Sequence, residues 1–208
     1  GGGGALMVSE INHRLNKRDN INSKLLVREK SGDFNNVIEI EPTLPEKALN
    51  HVIERVFSLE GLASPRSLRF PNWINEWEID LIHLHNIHGY YFNFLNISRV
   101  PEDVAMVWTL HDMWPLTGNC TYANGCEKYQ EKCGNCTEKD EYPKLRLDMT
   151  PVLHRLKRRL FDRDYSIAVP SEWMLSHVEK SHLSKPTVHH IPNGIDVERY
   201  RPLNRQDS

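Results

Sequence analysis

Short apolar runs alternate with amphipathic stretches along most of the chain. ALMVSEINHRLNK places Leu6, Met7, Ile11 and Leu15 on one helical stripe. SKLLVRE (23–29) reads as a strand, NNVIEIEP (35–42) fits strand or helix, and LPEKALNHVIERVFS (44–58) forms an amphipathic helix opened near Pro45. EIDLIHLHN (78–86) is a strand that runs into polar residues. YYFNFLNIS (90–98) follows as a short helix, and EDVAMVWTLHD (102–112) as the next buried strand. Gly, Asn and Thr then break regular structure. TPVLHRLKRRLFDR (150–163) is a helix with Thr150 as N-cap and Pro151 in its first position. YSIAVPS (165–171) is a strand, SEWMLSHVEKS (171–181) a helix capped by Ser171, and PTVHHIPNGID (186–196) a last strand.

This alternation predicts the α/β class with a doubly wound parallel sheet. In such sheets ligands bind beyond the carboxyl ends of the strands. The polar residues gather at those ends: His83, His85, Asn86 and His88, then His111 and Asp112, then Ser171 and Glu172, then Asn193 and Asp196.

Composition changes this picture little. At 208 residues the chain makes one large domain or two small ones. A net charge of -2 gives no general pull towards nucleic acid, and no apolar run approaches the length of a membrane span. The basic run His154–Arg163 reads by default as a solvated helix face, with Leu153, Leu156 and Leu160 turned inward. A phosphorylated or membrane-borne ligand held by Arg155, Lys157, Arg158 and Arg159 is the rival reading.

The chain begins GGGG, which reads as an added tag or as the end of a glycine loop. A glycine loop opening a helix suits an anion, because first-turn N–H groups are unpaired and no Cβ blocks approach.

All the cysteines lie in one loop, Cys120, Cys126, Cys133 and Cys136, with spacing C-x5-C-x6-C-x2-C. Only the last pair has knuckle spacing, yet four thiols in one polar loop favour a structural zinc over two disulfides or free thiols. The histidines raise another reading. HLHNIHG followed by HD resembles the ligand sets of metal-dependent hydrolases, through His83, His85, His88 and His111. Cleft-wall or core histidines are the plainer alternative, since His83 and His85 share one strand face.

Taken in order, GGGG, DLIHLHNIHGYY, WTLHDMWPLTGNC, GCEKYQEKCGNC, YPKLRLDMT, PSEWM and IPNGIDVERYRP resemble family 4 retaining glycosyltransferases of the colanic-acid and exopolysaccharide type. The resemblance implies a GT-B fold, in which two Rossmann-like domains face each other across a cleft. Residues 1–200 would be the N-terminal, acceptor-side domain, with a cysteine-rich insertion at 118–140. Residues 201–208 would begin the linker to a C-terminal, donor-binding domain. The family's first strand is expected ahead of the glycine loop. A fragment lacking these parts is expected to be inactive alone.

Site roles follow from the same resemblance. Gly2 and Gly3 would lie against the phosphates of a UDP- or GDP-sugar. His111 would reach the donor sugar near the reacting carbon, with Asp112 orienting it or binding acceptor. His85, Asn86 and His88 would hold the hydroxyls of a saccharide or lipid-linked oligosaccharide. Asn193, Gly194 and Asp196 would form a structural turn. No catalytic metal is expected, and the reaction would use the leaving phosphate as base. The expected location is cytoplasmic, including the inner face of the membrane. A zinc-stabilised interaction module without catalysis is the remaining alternative.

Overall fold

The computed structural model describes residues 3–30, 36–40, 42–62, 64–89, 91–140, 144–183 and 185–197. Helix α1 (Gly3–Leu15) is followed by strands β1 (Leu25–Val27) and β2 (Val37–Glu39), then helices α2 (Leu44–His51) and α3 (Phe70–Glu76). Strands β3 (Leu81–Leu84) and β4 (Ala105–Thr109) come next, and then helix α4 (Thr150–Leu160), strand β5 (Ser166–Val169), helix α5 (Glu172–Glu179) and strand β6 (Thr187–His190). Every strand pairing is parallel. This is the Rossmann-like α/β class that the alternation of apolar runs implies.

The strands form two sheets. β1 and β2 pair with each other, while β3, β4, β5 and β6 lie side by side in chain order. Leu26 of β1 packs against the main core, so the small sheet shares the hydrophobic interior of the large one.

That interior is built largely from the large sheet and the segments covering it. Trp108 at the end of β4 meets Phe161 edge to face at 4.9 Å, and Phe161 meets Phe94 at 6.1 Å. Trp114, also buried, meets Phe94 at 5.8 Å. Such edge-to-face pairs put the positive ring rim against a negative face. Gly61 makes this packing possible. Its φ is +79°, and a Cβ there would come within 2.8 Å of the Phe94 ring.

Local signals explain most boundaries. Thr43 and Glu46 form a capping box at the start of α2, and Ser171 caps α5 by accepting from Met174 N. Two readings need correction. Thr150 does not cap α4 but is its first residue. The N-cap is Met149, and Asp148 ahead of it accepts from Thr150 N at 3.2 Å and from Thr150 Oγ1 at 2.6 Å. Lys157 is not on a solvated face. It sits four residues after Leu153, on the same inward stripe, and is fully buried with it. Helix α3 is an addition that the apolar pattern does not announce. It is short, and it is opened by a 3-10 turn from Pro65 to Arg69.

Candidate active site

Strands β3 and β4 end side by side, with Leu84 in register with Trp108. The indole N–H of Trp108 donates to the His85 carbonyl at 2.9 Å, fixing the exit of β3 against β4. The next residues of both strands therefore emerge together. His85 Nδ1 lies 3.0 Å from His111 Nε2, and His88 Nε2 lies 2.7 Å from Asp112 Oδ2. Asp112 Oδ1 accepts from Trp114 N at 2.9 Å, which turns its carboxylate towards His88.

These residues line one depression of about 160 Å³ that also includes Asn86, Thr109 and Pro115. Asn86 is exposed at its mouth. The first turn of α1 reaches the same place. A Cβ on Gly4 would lie 3.8 Å from His111 Cγ, ordinary contact distance. Gly3 begins α1 one residue earlier. Gly2 lies outside the described residues.

Burial sets the charge state of the pair. His85 is pushed down to about 3, first by loss of water and then by His83 and His111. His111 is lowered by burial too, partly offset by Asp112. Both rings are neutral at neutral pH, so one of the two facing nitrogens carries the hydrogen and the other accepts it. A neutral imidazole beside the N-terminus of a helix can donate a hydrogen bond without adding a full charge.

Beneath the site sits an unforeseen polar layer. Glu60, buried, accepts from Trp114 Nε1 at 2.6 Å and from Gly89 N at 3.0 Å. Lys157 Nζ lies 3.4 Å from the centre of the Trp114 ring and donates to the carbonyls of Trp114 and Thr117 at 2.7 and 3.1 Å. Burial pulls this lysine down to about 7, with Glu60 the largest opposing influence. Nothing local in the sequence marks Glu60, whereas Lys157 was legible from its helical spacing.

The histidines do not form the ligand set that the hydrolase reading needs. Each of the four rings has one nitrogen turned to a protein partner, as with His83 Nε2, 2.8 Å from Thr109 Oγ1. Among the described residues, no group of three or more His, Cys, Asp or Glu is placed to hold a metal ion.

Cys120, Cys126, Cys133 and Cys136 are free, half-buried thiols with no sulfur–sulfur bond. The Cys120 thiol is pushed up to about 12, by burial first and then by Cys136, Cys133 and Cys126, so the four lie within one another's field. Gly118 N donates to Cys133 Sγ at 3.2 Å, and Cys136 N donates to Asp148 at 2.9 Å. The loop is seated tightly, since a Cβ on Gly118 would come 2.5 Å from the Thr150 carbonyl.

Of the remaining candidates, Ser171 serves as a helix cap, while Asn193, Gly194 and Asp196 lie on an exposed, irregular segment rather than in a turn. Asp196 Oδ2 is 3.7 Å from Arg14 Nη2 at the far end of α1. No described helix is long and apolar enough to cross a membrane.

The chain is 36% identical over 88 residues to a protein of Escherichia coli (strain K12) assigned as the colanic acid biosynthesis glycosyl transferase WcaC. The match covers 39% of this chain and 22% of that protein, so the chain spans about a fifth of its relative's length. No solved structure matches. The model of Glycosyltransferase Family 4 matches residues 1–199, nearly the whole sequence, and with parallel strands delivering His85, His111 and Asp112 to one edge, the chain belongs to that family.

Proposed function

We propose that this chain is the acceptor-side half of a retaining glycosyltransferase that builds a cell-surface or secreted polysaccharide. The observation carrying the reading is the contact between the first turn of α1 and His111, with the His88–Asp112 pair beside it. Unpaired N–H groups at a helix start suit the diphosphate of a UDP- or GDP-sugar. His111 would hold the donor sugar near its reacting carbon. His85, Asn86 and His88 would hold hydroxyls of a saccharide or lipid-linked oligosaccharide, and Asp112 would orient His88.

The bond from the sugar's anomeric carbon to the leaving phosphate oxygen breaks, and an acceptor hydroxyl oxygen bonds to that carbon on the same face. The acceptor proton passes to the leaving phosphate, so no protein base is required. The helix N–H groups stabilise the charge that develops on the phosphate. A second domain across the cleft would supply the remaining donor contacts. Exposed Arg155, Arg158 and Arg159 on α4 suit a peripheral position at an anionic membrane face.

The cysteine loop is proposed to hold one structural Zn²⁺. The support is that all four thiols share one loop, that Cys126, Cys133 and Cys136 act on Cys120, and that an N–H is aimed at Cys133 Sγ, although the four are not arranged around an ion as they stand. Lys157 lies within the field of Cys133 and Cys120 and would offset the negative charge of four thiolates around a divalent ion. The thiol side chains would have to turn inward to close on the metal.

The test is transfer by the full-length protein. UDP- and GDP-sugars are offered with lipid-linked acceptors, and the anomeric configuration of the product is read by NMR. Inverted product would overturn the retaining mechanism, and no donor consumption would overturn the function.

A further inference from the structure

Tyr122 and Trp173 are both strongly exposed, at 57% and 45%, yet they are not loose. Their rings stack with centroids 5.7 Å apart and planes 25° from parallel. His177 meets the Trp173 ring at 4.3 Å, and its Nδ1 takes a hydrogen bond of 2.6 Å from the hydroxyl of buried Tyr129. A pile of three rings is thus anchored to the core at one end and open to water at the other.

Both exposed rings are rooted beside His111 and Asp112. Met113, the residue after Asp112, donates its N–H to the Thr121 carbonyl, which holds Tyr122 next to the site. Leu110, the residue before His111, donates to the Ala168 carbonyl, and Trp173 follows on the first turn of α5. Neither ring belongs to the depression that His85 and His111 line. The pile lies outside it, on the loop that pairs with Met113 and on the helix that follows β5.

We infer that Tyr122, backed by Trp173, is a stacking platform for a pyranose of the acceptor glycan other than the one that reacts. An equatorially substituted pyranose carries three axial C–H bonds on one face. That face is apolar and faintly positive, and it matches the negative face of an aromatic ring. A protein partner needs roughly 800 Å² on each side, far more than one ring pair presents. Exposed Glu172 beside Trp173 offers a carboxylate for the sugar's hydroxyl rim and disfavours an anionic membrane. The platform deepens the proposed function and rests on it.

The experiment uses the full-length protein and cellohexaose, whose β-linked glucose units all present such a face. Saturation-transfer NMR should show transfer from aromatic protons to the axial H-1, H-3 and H-5. Tyr122→Ala and Trp173→Ala should each cut the signal about tenfold, equivalent to a stacking contact near the upper end of its usual strength. Tyr122→Phe should retain it. No signal in the wild-type protein, or equal signal in both alanine variants, overturns the platform. So does loss of binding to anionic phospholipid vesicles in those variants while cellohexaose binding persists. Donor consumption by the wild-type protein is measured separately. If it occurs while the platform fails, only this inference falls; if it does not occur, the glycosyltransferase reading falls.

Discussion

His85 Nδ1 and His111 Nε2 face each other at 3.0 Å, within hydrogen-bond distance. The pair couples the end of one strand to the end of the next, so a change at either ring alters the other's orientation. His111→Ala in the full-length enzyme should lower kcat about 10²-fold or more, the usual cost of losing one preorganised donor. His85→Ala should lower it less, acting through the freed His111 ring. Steady-state kinetics with circular dichroism would check both, and undiminished turnover by folded His111→Ala protein would remove His111 from the mechanism.

Burial pushes His85 down to about 3 and lowers His111 against the pull of Asp112, so His85 stays neutral across the working range. The rate profile should therefore show no fall centred near pH 6.5 that disappears in His85→Asn protein. Such a fall would mean that one of the rings is charged at work.

The strand ends were legible because period-two burial and terminal polar residues are local signals. β3 alternates exposed and buried from Leu81 to Leu84, and the polar run begins where pairing stops. The α/β class follows from the alternation of apolar runs, while the order of the large sheet is seen only in the structure. What was not legible depends on contacts distant in sequence. Glu60 reaches Trp114, 54 residues away, through a hydrogen bond that no spacing announces. Lys157 misled for a different reason. A basic run invites a solvated reading, although its spacing from Leu153 already turned it inward.

Lys157 ties α4 to the loop that follows Asp112. Lys157→Met keeps the volume but leaves the Trp114 and Thr117 carbonyls without their donor. The expected loss is about 3 kcal/mol, one to three for each buried acceptor left unpaired. Gly118→Ala should cost about 1–3 kcal/mol through overpacking against Thr150. Urea denaturation would measure both, and a neutral Lys157→Met would show that the buried ammonium contributes nothing net.

A second histidine pair should govern acid stability. His154 and His182 meet edge to face at 5.1 Å, and His154 Nε2 and both His182 ring nitrogens are buried without partners. Burial lowers them to about 4 and about 3, with the cationic neighbours Lys157 and Arg158 acting in the same direction. Unfolded, both titrate near 6.5. Between these values the unfolded chain binds more protons, so stability is fully present above pH 6.5 and falls as the pH drops towards 4. The urea midpoint should decline from pH 7 to pH 5, and His182→Phe should flatten that decline. Parallel declines in the two proteins would rule the pair out as the cause.

Zinc in the cysteine loop predicts about one metal ion per chain in protein purified without added metal. Chelation should lower thermal stability and expose Tyr129, which now packs beside Cys126 and Cys133 in the core. Protein that is metal-free yet equally stable would leave the loop held by Gly118, Asp148 and Lys157 alone.

The last prediction concerns the 208 residues taken by themselves. Their strand-end depression is a shallow one, its space of about 160 Å³ being open to solvent. It encloses no space for a nucleotide and its diphosphate. The helix N–H groups of α1 remain, but in contact with water each exchanges one hydrogen bond for another with little net gain. On the proposed reading donor and acceptor are held between two facing surfaces, and one surface alone would not supply that proximity. UDP- and GDP-sugars should therefore bind these residues no more tightly than about 1 mM, roughly 4 kcal/mol, and no transfer should be detected. Calorimetry would check the first and radiolabelled donor the second. Micromolar affinity for either nucleotide-sugar would place the donor site within this domain and remove the need for a facing surface.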